Sequence, residues 1–439
     1  VFAKTEHNEV APAQHELAPI FTNTNLASDH NQLMMELMKR IAERHGMACL
    51  LHEKPFSGIN GSGKHNNYSL ITNDGQNLLS QSDDPARNRR FLLILAAFIE
   101  AVDEYADLLR ASAACAGNDQ RLGGCEAPPA IISVFLGESL TRALFSMAQG
   151  VSAAGEERRH IHTGVSALPD LEQDDSDRNR TSPFAFTGNK FEFRMLGSSQ
   201  SIALTNVVLN TALAEVFGRF AGRLEAAENN EAAMAAIVAD VLRDHGRVIF
   251  NGDNYSDAWV QEAKKRGLPV INSTVEAFDC LIAPKNIALF EHHQVFTETE
   301  CRSRREILLE NYVKTTAIEA ATMIEMVRRQ IYPAVARYAG EIAGVVNAMR
   351  TAGAPSASAI RLLDALAALT DQIDSELDAL RDAYARSQSI EQPRAHAEFM
   401  RTTLRGCMES LRAACDAAEN VMDGERWPIP TYTDLLLRV

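Results

Sequence analysis

The sequence predicts an α+β fold, with strands, helices and glycine-rich loops mixed over residues 1–245 and a helical bundle over 301–439. Three observations predict it. Lys190-Phe191-Glu192-Phe193-Arg194-Met195 alternates strictly between polar and apolar, the period of a half-buried strand. Phe91 to Ile99 is an unbroken run of nine apolar residues, short of the about 20 that span a bilayer and suited to a buried helix. From residue 300 the chain turns Ala-rich with apolar residues at three- and four-residue steps: Leu363, Leu366, Leu369, Ile373, Leu377 and Leu380, then Met400, Leu404, Met408 and Leu411. That period is the one-sided stripe of bundled helices.

In chain order, residues 1–25 read as extended. A helix follows with Ser28 as N-cap, Leu33, Leu37 and Ile41 on one face, and Gly46 at its end. Met47 to Glu53 reads as a strand, then comes the loop from Lys54 to His65, and Tyr68 to Thr72 reads as a strand closed by Asp74-Gly75. Asp84-Pro85 opens a long helix to about Ala114, since proline suits a first helical turn. Residues 246–300 read as a connector. Helices over 300–350, 357–388 and 393–423 are joined at Gly353-Ala354-Pro355 and at Ser389 to Pro393, and Pro333 is expected to kink the first.

A chain of 439 residues allows two to three domains at about 150 residues each. The net charge of −15 argues against a general nucleic-acid surface. Seven scattered cysteines without a CxxC pair suggest neither a zinc ribbon nor a disulfide framework, so a reducing cytoplasm is expected. The opening Val1-Phe2-Ala3-Lys4 has no apolar signal core. It does not begin with Met, and the chain is expected to start inside a longer protein.

Five segments carry chemistry. In Glu9-Val10-Ala11-Pro12-Ala13-Gln14-His15-Glu16, a turn at Pro12-Ala13 would set Glu9 opposite Glu16, and two facing carboxylates call for a cation or a shared proton. Hard ions such as Mg²⁺ and Mn²⁺ favour that ligation. Two solvated glutamates on a surface hairpin would read the same. In Asn60-Gly61-Ser62-Gly63-Lys64-His65, the glycines allow close approach to a ligand and His65 can offer a ring nitrogen to a metal. The spacing is not that of a P-loop, and a purely structural turn is the alternative. On the 190–195 strand, Lys190, Glu192 and Arg194 share a face that either lines an anionic cavity or forms a salt-bridged outer surface. Arg121-Leu122-Gly123-Gly124-Cys125-Glu126-Ala127-Pro128 and Arg178-Asn179-Arg180 are, taken singly, ordinary loops.

Taken together and in this order, EVAPAQHE, HEKPFSGINGSGKHNN, NDQRLGGCEAPPAIIS, RNR and KFEFR resemble the catalytic domain of glutamine synthetases, in wording the type III branch. The tail Trp427-Pro428-Ile429-Pro430-Thr431-Tyr432 resembles it too, so the likeness covers essentially the whole chain. The resemblance implies a curved antiparallel sheet whose concave polar face forms the active-site funnel, wrapped by helices. It implies ATP-dependent ligation of ammonia to glutamate through γ-glutamyl phosphate, at two or more Mg²⁺ or Mn²⁺ ions. Residue by residue, Glu9 and Glu16 match ligands of one ion, and His65 and Glu192 ligands of another. Asn60 and Gly61 match the glutamate loop, Arg121 the α-carboxylate arginine, and Glu126 the flap carboxylate that takes a proton from the incoming nitrogen. Arg180 and Arg194 match phosphoryl-binding arginines, and Lys190 stands for a further cation. Phe21 matches an adenine-contacting aromatic, and Asn67 and Ser69 match nucleotide-contacting positions.

Two departures are visible. Ala185 stands where type I enzymes carry another phosphate-binding arginine. The family also brings one more glutamate per ion from a strand upstream of the matched motifs, and an N-terminal β-grasp domain that donates an ammonium-site aspartate to the neighbouring subunit. The resemblance further implies a cytoplasmic homo-oligomer, in this branch a dodecamer. The rival readings are a γ-glutamyl ligase for a polyamine or other amine, and a catalytically inactive homologue. The second would be expected to lose ligands that this chain keeps.

Overall fold

The computed structural model describes residues 1–56, 59, 63–82, 85–123, 129–149, 160–161, 171–172 and 181–437. Its strands are β1 (Ala3–Asn8), β2 (His15–Pro19), β3 (Lys64–Tyr68), β4 (Val134–Phe135), β5 (His160–Ile161), β6 (Leu171–Glu172), β7 (Phe184–Phe186) and β8 (Phe191–Leu196). Its first ten helices are α1 (Thr24–Arg44), α2 (Pro85–Glu104), α3 (Ala106–Ser112), α4 (Asn118–Arg121), α5 (Glu138–Ala148), α6 (Ala203–Glu225), α7 (Asn230–His245), α8 (Asp257–Lys265), α9 (Thr274–Asp279) and α10 (Pro284–His292). The rest are α11 (Glu298–Met326), α12 (Tyr332–Thr351), α13 (Ala357–Ser387), α14 (Pro393–Phe399), α15 (Arg405–Glu419) and α16 (Tyr432–Leu437). Two compact units divide the chain, Val1–Arg302 and Ser303–Val439.

In the first unit the main sheet has the order β3-β8-β7-β4. It is mixed rather than antiparallel: β3–β8 and β7–β8 are antiparallel, but β4 and β7 run parallel. The long excursion between β4 and β7 permits that pairing, which a tight turn could not make. The alternation read in residues 190–195 is realised. Phe191, Phe193 and Met195 are fully buried, while Glu192 keeps partial exposure. Their apolar face is closed by α2, whose Phe98 ring stacks on Phe191 at 4.5 Å and meets Tyr68 edge-on at 6.0 Å. Phe184 continues the stack, 4.8 Å from Phe191. Helices α6 and α7 pack on α2. Residues 246–300 pack here as well, through α9 on α3 and α10 on α6.

Four local expectations change, the first being the strand read at Tyr68 to Thr72: β3 ends at Tyr68, and only Ile71 beyond it makes an isolated bridge, to Asn77. Helix α1 starts at Thr24, capped by Asn23, whose Oδ1 accepts from Leu26 N at 3.0 Å, and Ser28 lies inside the helix. Its buried positions are Asn31 and Met35, whereas Leu33, Leu37 and Ile41 are 41–49% exposed. Met47 to Glu53 is not a strand: the carbonyls of His52 and Glu53 accept from the Gln14 side chain, at 3.2 Å each. The helix begun at Pro85 breaks after Glu104, and a separate helix, α3, runs from Ala106 to Ser112.

In the second unit α12 packs along α13 and α13 along α15. The stripe read from the sequence is the buried one, with Leu366, Ile373, Leu377 and Leu380 on α13 and Leu404 and Leu411 in the last helical stretch. The chain departs from α-helical geometry just before Pro333, in a π turn at Val327–Ile331, as expected where a proline removes a helical donor. No helix among the described residues is long and apolar enough to cross a membrane.

Candidate active site

Strands β1 and β2 form a hairpin whose turn is the expected one. Gln14 N donates to Ala11 O at 3.2 Å, and Ala13 takes the positive φ of 52° that such a turn demands. The register differs from expectation by two residues. Asn8 pairs with His15 and His7 with Glu16, because Glu9 N already bonds Gln14 O and leaves four residues in the loop. A slip of two preserves the face of every side chain. Glu16 therefore lies across from His7 and diagonal to Glu9, and the three side chains converge, their nearest ligand atoms all within 4.8 Å of one another. His7 Nε2 is 3.0 Å from Glu9 Oε1. His7 was not picked out from the sequence, although in an extended chain a histidine two residues before Glu9 shares its face, the signal that could have found it.

The second pair of candidate ligands meets across β3 and β8. Asn67 sits opposite Glu192, and His65, two residues back on the same face of β3, has its Nδ1 4.0 Å from Glu192 Oε2. Arg194, almost fully buried, holds the same oxygen from Nη2 at 3.2 Å and donates from Nη1 to Ser182 O at 3.4 Å. Ala185 lies directly opposite Glu192 on β7, so a larger cation at that position would stand beside this carboxylate.

Around these strands lies a buried charged cluster, which includes a residue that the sequence reading did not single out. Glu53 is 6% exposed and accepts from Ser198 N at 3.0 Å. Two cations share its neighbourhood. Burial pushes the Lys64 ammonium down to about 8, with Glu53 pulling it the other way, and Lys64 Nζ donates to Gln200 O and to Met35 Sδ. Arg121, also pulled down by burial and supported by Glu53, is 3% exposed. Its Nη1 donates to Asn118 Oδ1 at 3.0 Å, Met195 O at 3.0 Å and Leu196 O at 3.2 Å, and its Nη2 to Arg194 O at 3.0 Å. The guanidinium that the resemblance assigns to a substrate carboxylate is thus engaged by the backbone of β8. Its Nε is buried without a hydrogen-bond partner among the described residues. The close approach that Gly63 permits is to this same group, since a Cβ there would collide with Arg121 Nη2. Two buried cations need a buried anion, which is the signal that could have found Glu53.

The remaining candidates are dispersed. Phe21 follows β2 and is 80% exposed. Asn67 is exposed on β3, Ser69 is half-buried just past it, and Lys190 is half-buried at the turn before β8. Asn60, Gly61, Glu126 and Arg180 lie outside the described residues. The segment that follows Arg180 is anchored by the region read as a connector. Asn254, 1% exposed, bonds Thr181 Oγ1 from its backbone N at 3.3 Å and accepts from Ser133 Oγ at 2.8 Å.

Two family models match the chain: glutamine synthetase, catalytic domain, over residues 2–128, and glutamine synthetase C-terminal domain, over residues 233–350. Among curated proteins the chain is 40% identical over 444 residues to the type-3 glutamine synthetase of Dictyostelium discoideum, covering 99% of this chain and 60% of that protein. It is 41% identical over 441 residues to a glutamine synthetase of Butyrivibrio fibrisolvens, covering 99% and 62%. A Bacteroides fragilis glutamine synthetase is 38% identical over 446 residues, covering 99% and 61%. The chain spans about three fifths of the length of these relatives.

Proposed function

This chain belongs to the glutamine synthetase family, and on that premise we propose that the protein containing it ligates ammonia to glutamate at the expense of ATP, through γ-glutamyl phosphate. The observation that carries the proposal is the likeness of about 40% identity across 99% of the chain to proteins of that name.

The donor sets fit the divalent ions such a reaction requires. Two carboxylates and an imidazole with ligand atoms within 4.8 Å of one another suit one ion, and His65 with Glu192, 4.0 Å apart, suit part of the ligand set of a second ion. Bound there, Mg²⁺ or Mn²⁺ would supply charge neutralisation for the phosphoryl oxygens. The chain's own residues do the rest. Arg194 fixes the Glu192 carboxylate and adds positive charge beside it, where the transferring phosphoryl group develops negative charge. Arg121 holds the carbonyls at the end of β8, Glu53 accepts from the Ser198 N–H just beyond it, and together they position Arg194. Arg180 and Lys190 add charge for the phosphate. Asn60 and Gly61 hold glutamate, Phe21, Asn67 and Ser69 hold the nucleotide, and Glu126 takes the proton from the attacking nitrogen. The setting is a cytoplasmic homo-oligomer.

The full-length protein, supplied with ATP, glutamate and either ammonium or a panel of amines and polyamines, tests this. Glutamine formed in step with ATP cleavage supports it. A γ-glutamylamine as the sole product would replace it, and ATP cleavage with no amide product would refute it.

A further inference from the structure

A second group of metal-ligating side chains lies away from the strands described above, where α10 ends against α6. His292 is the last residue of α10 and His293 caps it. Their rings sit with centroids 4.7 Å apart, and both turn a nitrogen to one carboxylate oxygen of α6: His292 Nδ1 and His293 Nε2 each lie 2.9 Å from Glu215 Oε2. The three ligand atoms all fall within 4.8 Å of one another. We propose that Glu215, His292 and His293 form a binding site for a borderline transition-metal ion of the zinc class, separate from the ions of the ligase reaction.

The donor set argues for that class. Two neutral imidazoles and one carboxylate make the N₂O set that binds zinc where one or more positions stay open to water, and it is poorer for Mg²⁺, which prefers oxygen. The spacing agrees. With ligand bonds of about 2.0–2.1 Å, donors stand about 2.9 Å apart at right angles and about 3.3 Å apart at tetrahedral angles. Both nitrogens already stand at 2.9 Å from the carboxylate oxygen, so an ion needs only a small outward motion of His292. That side chain is 71% exposed and free to make it.

Charge and outer contacts point the same way. Arg219 donates to the other Glu215 oxygen at 3.4 Å and is itself held by Glu100 at 2.6 Å and Glu104 at 2.5 Å. Three carboxylates against one guanidinium leave two negative charges at neutral pH, the charge a divalent ion offsets. The Arg219 contact orients the carboxylate as an outer partner does in built metal sites.

The test uses the full-length protein, stripped by chelator and held in excess Mg²⁺, titrated with Zn²⁺ and with Co²⁺. Wild type is expected to take up one more equivalent per chain than His292→Gln or His293→Gln, with affinity at that site lower by about tenfold or more in each variant. Cobalt at the site gives visible absorption bands that both variants lose. Because His292 is mostly exposed, His292→Gln keeps the fold, and its melting without metal is expected to match wild type. Equal uptake and equal cobalt spectra in wild type and both variants would overturn the proposal and leave the pair as a hydrogen-bonded tie between α10 and α6. Neither outcome depends on whether the protein makes glutamine.

Discussion

Replacing Arg121 by alanine separates a positioning role from direct substrate contact. The guanidinium satisfies three backbone carbonyls at the end of β8 and the Asn118 side chain, all in a buried setting. Each orphaned acceptor costs about 1 kcal/mol, and Glu53 loses a buried cationic neighbour, so the variant is expected to lose about 4 kcal/mol of stability. For a unit of this size that corresponds to a fall in Tm of roughly 5–10 °C. Arg121→Lys keeps the charge but not the planar fork, and is expected to recover less than half of the loss. The assay is thermal unfolding of the full-length protein by circular dichroism, alongside KM for glutamate. A melting curve unchanged in Arg121→Ala, with only the glutamate KM raised, would refute the reasoning and return Arg121 to the substrate.

Three further outcomes follow from the same geometry. Lys64 titrates near 8 folded against 10.5 unfolded, so between those values the unfolded chain binds the extra proton and stability rises with pH. The urea midpoint of wild type is therefore expected to gain on that of Lys64→Met from pH 8 to 10, and parallel profiles would contradict the burial of this ammonium. Asn254→Ala removes the bonds that hold Thr181 and Ser133, and is expected to cost about 2–3 kcal/mol and to lower kcat, since Arg180 precedes Thr181. Phe98→Ala opens a cavity under Phe191 and is expected to cost about 3–5 kcal/mol in denaturant unfolding, with a loss under 1 kcal/mol contradicting the packing.

How much of this was legible depends on the range of each signal. The face shared by Glu192 and Arg194, the turn at Pro12-Ala13 and the break at Pro333 are local, set by alternation, turn chemistry and a missing donor. Each could be read from a few neighbouring residues. The hairpin register was not, because it depends on whether Glu9 N finds Gln14 O before the turn closes, and a slip of two hides behind an unchanged face. Glu53 was missed because its importance comes from Lys64 and Arg121, eleven and 68 positions away along the chain. Asn254 lay within residues 246–300, which read only as a connector, and its role arises only where it meets Ser133 and Thr181. The parallel pairing of β4 with β7 is equally nonlocal. The misread face of α1 has another origin: its apolar stripe is real, but Asn31 and Met35 are the residues turned inward.

The most direct test of the ligase reading follows an oxygen atom. Glutamate labelled with ¹⁸O in its side-chain carboxylate is given to the full-length protein with ATP, ammonium and Mg²⁺. Transfer through γ-glutamyl phosphate carries one labelled oxygen into inorganic phosphate for each glutamine formed, and this is the predicted result. Unlabelled phosphate, whether or not glutamine accumulates, would contradict it.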